Sequence, residues 1–157
     1  MGGDRGTPYD ALLLKQFQIA VRTGRMQVDD RAARETRGRP YATPTQKGNP
    51  ITQGVEKVFF SLNSSAILSG QGAAVLMATP PFVTHSSQKD KKGPVAVLAV
   101  RQMGKGRVVV FSAVPDIWDE DTGANALKLV AQAVAWAAFP RASQTKAAKA
   151  PAAEGGK

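Results

Sequence analysis

Residues 95–111 read Val95-Ala96-Val97-Leu98-Ala99-Val100-Arg101-Gln102-Met103-Gly104-Lys105-Gly106-Arg107-Val108-Val109-Val110-Phe111. Two apolar, β-branched runs are joined by a polar loop that carries two glycines. That pattern predicts a β-hairpin, with the glycines supplying positive φ in the turn. Gly104-Lys105-Gly106 is not a phosphate loop, because no Lys-Ser/Thr step leads from it into a helix. Downstream, Ala126, Leu127, Val130, Ala133, Val134 and Ala137 recur at steps of three and four, which predicts a helix. Asp116, Asp119, Glu120 and Asp121 precede it and complement its positive end, and Pro140 stops it.

Upstream, Ala73–Ala78 has the length and composition of a strand buried on both faces, stopped by Pro80-Pro81. Val58–Phe60 and Ala66–Leu68 are shorter apolar runs, and residues 51–55 read as a helical turn ending at Gly54. A helix is expected from about Pro8 to Gln18, with a short strand at Ile19–Val21. Residues 24–50 show no sustained apolar periodicity, and Pro40, Pro44 and Pro50 predict a long irregular loop apart from a solvated helical turn around Arg31–Arg39. Residues 82–93 are polar and Lys-rich, a solvated loop. One domain is expected over 1–140, with 141–157 a basic Ala/Lys/Pro/Gly tail expected to be disordered.

The chain has 157 residues, enough for one core, and its 43% hydrophobic content is that of a globular protein. It has no cysteine and a single histidine, so thiolate metal sites, cysteine nucleophiles and multi-histidine centres are excluded. The net charge of +9 divides as +4 over residues 1–50, +2 over 51–100, 0 over 101–140 and +3 over 141–157. The excess therefore sits in the flanks. The aromatics Phe59, Phe60, Phe111, Trp136 and Phe139 lie in apolar runs and read as core, not as stacking platforms. No stretch approaches the ~20 apolar residues of a membrane span, and no apolar signal segment opens the chain, so a cytoplasmic location is expected.

Three segments, taken in order, resemble a known family. Asn49-Pro50-Ile51-Thr52-Gln53-Gly54-Val55 is similar to its "(H/N)P-I-T-x-G-(V/L)" segment, and Gly104–Phe111 to its "G-K-G-R-V-V-V-F" turn and strand. Gly123-Ala124-Asn125 then opens a helix that ends in Ala135-Trp136-Ala137. The set resembles the class I glutamine amidotransferase-like superfamily, in its non-catalytic branch of gliding-motility and ABC-transport auxiliary proteins. The resemblance spans about residues 9–139, with Tyr9–Val21 matching the leucine-rich helix and following strand of that branch. It implies a flavodoxin-like α/β sheet, here incomplete on its N-terminal side because the opening βαβ units have no counterpart. It also implies that amidotransferase chemistry is absent. Where the catalytic His-Pro-Glu of such enzymes would stand, this chain has Ser112-Ala113-Val114-Pro115-Asp116.

Ligands of open α/β sheets gather where strands lead into helices, which puts Ser112–Asn125 at the expected site. Asp116, Asp119, Glu120 and Asp121 can offer oxygen ligands to Mg²⁺ or Ca²⁺, but their spacing is not a calcium loop, and solvated helix-start acids are the ordinary alternative. No cofactor or metal is expected. Trp118 either packs the loop down or offers a contact surface. Asn125 completes the segment. His85, in Thr84-His85-Ser86-Ser87, reads as a surface-loop histidine; no Gly-x-Ser-x-Gly elbow accompanies it. The resulting expectation is a non-enzymatic ligand- or protein-binding module, homo-oligomeric or completed by a second chain. A polyanion- or nucleic-acid-binding protein using Arg31, Arg34, Arg37 and Arg39 is the alternative. A hydrolase using His85 or the acidic loop has least support. Because the missing units would cover one sheet edge, Ala73–Ala78 is expected near an open edge that invites association.

Overall fold

The computed structural model describes residues 8–61, 63–70, 72–88 and 93–138. In chain order they form α1 (Pro8–Phe17), β1 (Ile19–Val28), α2 (Asp30–Thr36), β2 (Tyr41–Pro44), β3 (Val58–Phe59) and β4 (Asn63–Gly70). Then come β5 (Ala73–Ala78), β6 (Val83–His85), a 3₁₀ turn (Ser86–Gln88), β7 (Ala96–Met103), β8 (Gly106–Phe111) and α3 (Gly123–Ala138). The eight strands join in one sheet of order β3-β2-β5-β7-β4-β1-β6, with β8 on β7. The chain is α/β.

Every pairing among the described residues is antiparallel. A doubly wound, flavodoxin-like sheet is parallel. The β7–β8 connection, Gly104-Lys105, explains the difference at one of these pairs: it is far shorter than the dozen or so residues a parallel crossover needs.

The quoted hairpin forms as its pattern predicts, from Leu98 opposite Phe111 to Met103 opposite Gly106. Of its two loop glycines only Gly104 has the positive φ, at +57°, that the turn requires. Residues of β8 alternate between the faces of the sheet. Val109 and Phe111 pack with the cluster that holds Ala126, Leu129 and Ala133 of α3. Val108 and Val110 join the cluster that holds Leu13 and Phe17 of α1. Helices thus cover both faces, and the larger core lies under α3.

Three expectations change. Ala73–Ala78 keeps its predicted bounds but lies between β2 and β7, not at an edge. The segment expected as an irregular loop over 24–50 contains the second half of β1, α2 and β2, because Met26–Val28 pair with Val83–His85 and Thr43–Pro44 pair with Met77–Ala78. The polar stretch 82–93 opens with strand β6, so His85 is buried rather than a surface-loop residue. The predicted turn at 51–55 is present, with Thr52 N–H donating to Asn49 O and Val55 N–H to Thr52 O. The tail 141–157 and Phe139 lie outside the described residues.

Helix α2 ends through Gly38 N–H donating to Ala33 O at 2.8 Å, which throws Arg37 into the left-handed region at φ +54°. A side chain there costs more than glycine. Arg37→Gly is therefore expected to raise stability by about 0.5 kcal/mol, net of the extra freedom glycine has when unfolded. Urea unfolding checks this, and a loss of stability would show that the exposed Arg37 side chain contributes in a way the backbone does not reveal.

Candidate functional site

The segment between β8 and α3 is fixed from both sides. Asp116 N–H donates to Phe59 O at 2.9 Å, Ser61 N–H to Val114 O at 3.3 Å, and Phe60 bridges Pro115. At the far end Ala126 N–H donates to Thr122 O, which makes Thr122 the N-cap of α3. Asp116 and Asp119 stand three residues apart within this turn, and Arg39 reaches both. Its Nη2 donates to Asp116 Oδ2 and its Nη1 to Asp119 Oδ2, each at 2.5 Å, while its guanidinium lies 4.6 Å from the Phe59 ring centroid.

The other carboxylate oxygens are engaged as well. Asp116 Oδ1 accepts from Trp118 N–H at 3.1 Å. Asp119 Oδ1 accepts from the Thr122 amide at 2.7 Å, the Thr122 hydroxyl at 2.8 Å and the Asp121 amide at 3.2 Å. The Asp119 side chain is only 7% exposed. Desolvation pushes its carboxyl upward, yet the hydrogen bonds from Thr122 and Arg39, with the guanidinium charge, hold it below the ordinary value of 3.8. An arginine thus occupies the place between the two carboxylates that a divalent cation would need. Among the described residues no group of three or more His, Cys, Asp or Glu side chains is placed to hold a metal ion.

Beside this clamp opens a cleft of about 720 Å³. Phe60, Val114, Ile117 and Val130 give it apolar walls, and Arg39 and Asp116 form a polar end. Trp118 stands at its lip, 88% exposed. Of the alternatives for this residue the structure shows the exposed one: the loop is held by backbone and carboxylate bonds, and the indole is left outside. The arrangement suits a ligand that inserts an apolar group and makes hydrogen bonds at one end.

The expected site residues distribute as follows. Asp116 and Trp118 line the cleft, and Asp119 supports it from beneath through Arg39. Glu120 and Asp121 are exposed on the same turn, and Asn125 is half-buried in the first turn of α3. His85 belongs elsewhere, on β6, where Met26 of β1 is opposite and its Nδ1 lies 2.7 Å from Ser87 Oγ. The arginine cluster does not act as one surface: Arg34 and Arg37 are exposed, Arg39 is consumed by two carboxylates, and the Arg31 side chain lies outside the described set. The roles of Arg39, Phe60, Val114 and Val130 were missed. The only sequence signal was an i, i+3 pair of acids beside an exposed Trp, with no basic partner nearby in the chain.

No helix among the described residues is long and apolar enough to cross a membrane. Comparison with protein-family models, with curated proteins and with solved structures finds no match to this chain.

Proposed function

We propose that this chain is a non-enzymatic binding module whose site is the cleft beneath Trp118, and that it takes an apolar group of a protein or other ligand. The observation that carries the reading is a large indole left almost wholly in water beside an apolar cleft of about 720 Å³, on a loop that five or more hydrogen bonds hold in place. Tryptophan is enriched among the few residues that carry most of the energy of a binding interface. The loop is preorganised, so little ordering entropy opposes binding.

Binding without turnover agrees with the chemistry of the loop. Both carboxylates are held as acceptors by their neighbours, Asp116 within the cleft lining itself, and the one hydroxyl of that lining, Ser61, has no histidine beside it there. The non-catalytic amidotransferase-like kinship belongs to the same proposal as a kinship of motifs, on a sheet whose described pairings are antiparallel. What supports it is the ordered set of motifs, whose third member, Gly123-Ala124-Asn125, opens α3 directly after the loop.

The dye 1-anilino-8-naphthalenesulfonate tests the site at dilute protein. The wild type is expected to enhance its emission, and Trp118→Ala to lower dye affinity about tenfold while leaving unfolding unchanged within roughly 0.5 kcal/mol, since the side chain is exposed. Equal dye binding by both proteins would remove the cleft as the site.

A further inference from the structure

We infer that the partner of this surface is a second copy of the chain, docked face to face through Trp118 and the outer stripe of α3. The inference rests on the reading of the cleft as a binding surface and names its occupant. Helix α3 has sixteen residues and one charged side chain, Lys128, whose Nζ donates to Gly54 O at 3.2 Å. A helix with one water-facing side ordinarily carries several charges there. Here that side presents Leu127, Ala131, Val134 and Ala138, all exposed, which at about 100° per residue fall within an arc of roughly 60°. Val130 borders this arc and also lines the cleft with Val114 and Trp118. The stripe and the cleft are therefore one continuous apolar surface.

Its size and shape argue for a second copy. Exposed fractions of 88%, 72%, 61% and 55% for Trp118, Val114, Val134 and Leu127 amount to roughly 550 Å² of apolar side chain, before the alanines are added. That reaches the upper end of the roughly 300–600 Å² of a monomer's largest apolar patch, which is often a functional one, and approaches the ~800 Å² that each partner gives to a standard interface. A two-fold contact requires a patch complementary to itself. This one carries a projecting indole and an open cleft side by side, so each copy's Trp118 can enter the other's cleft. The charge of +9 on each chain opposes the approach of two copies. Salt screens that repulsion, so association is expected to strengthen with salt, opposite to the behaviour of a polyanion-binding protein.

Sedimentation of the full chain from ~1 to ~200 µM, at low and at high salt, tests the inference. The expected result is a monomer–dimer equilibrium that tightens with salt. Trp118→Ala and Val134→Asp should each weaken it at least about tenfold while thermal unfolding of the dilute monomer stays unchanged. A wild type that stays monomeric throughout overturns it, as does a dimer that both substitutions leave intact. The two failures are distinguishable: a monomer that still binds the dye through Trp118 loses the second copy and keeps the cleft, with another protein or a small ligand as occupant. A monomer that binds none loses both.

Discussion

Asp119→Ala is expected to destabilise the protein by about 3 kcal/mol, the largest effect of any substitution around the site. The nearly buried carboxylate serves four donors: Arg39, the Thr122 amide, the Thr122 hydroxyl and the Asp121 amide. Truncation leaves buried donors at the start of α3 without an acceptor and Arg39 with only Asp116. At ordinary urea slopes the unfolding midpoint should fall by about 1–2 M. The same carboxylate gives the effect a pH signature. Its folded value is depressed below 3.8, so its contribution is complete above the unfolded value and disappears as pH falls through the folded one. The gap between wild type and variant should therefore be constant near neutrality and close below about pH 4. A gap unchanged down to the acid limit would show that the carboxylate charge is not what holds the loop.

Gly123→Ala is the second large effect, and its sign opposes helix propensity. At a helical position alanine ordinarily gains up to about 1 kcal/mol over glycine. Here a Cβ would lie 2.6 Å from the backbone oxygen of Ile117, closer than nonbonded atoms tolerate, and Gly123 N–H already donates to Asp119 O at 2.8 Å. The start of α3 and the loop carrying Trp118 must separate. A loss of about 2–3 kcal/mol is expected, accompanied by weaker dye binding, because the shift displaces the cleft wall. Denaturant unfolding and the dye titration read the two effects separately. Stability at or above that of the wild type would mean that the loop yields freely, contrary to the rigidity assigned to it.

The contrast between Gly123 and its neighbours shows what the sequence could convey. The β7–β8 hairpin and β5 were legible as apolar runs, and α3 as a helical period, although Leu127 and Val134 of that period face water and Leu129 is buried instead. Their cores are local patterns repeated along one element. The second half of β1 was not, since Arg22-Thr23-Gly24-Arg25 interrupts its apolar alternation and its place is set by pairing with Ser65–Asn63 and then with β6. His85 misled for the same reason: it alone of an all-polar tetrapeptide is buried, because β1 runs alongside it with Met26 opposite and Gly24 leaving room for its ring. The order of strands, which puts β5 in the interior, depends on contacts that no local pattern encodes.

At the site, the acidic turn and Trp118 were visible, and the cleft was not. Arg39 meets Asp116 and Asp119 across 77 and 80 residues of chain, and it stood among three other arginines that suggested a polyanion surface. Only folding separates the one arginine that clamps the loop from Arg34 and Arg37, which face water. The exposed alanine and leucine positions of α3 were equally hidden, because an amphipathic period and a helix apolar on both sides look alike when most residues are alanine, leucine or valine.

Mapping where the dye binds tests the central claim most directly. In a titration of the dilute chain with 1-anilino-8-naphthalenesulfonate, followed by its amide and indole NMR resonances, the account predicts shifts confined to Phe60, Ser61, Val114–Trp118 and Val130. The Trp118 indole should move most and the half-buried Trp136 indole should stay in place. Shifts centred on Arg34 and Arg37, on His85, or spread evenly over the sheet would contradict it.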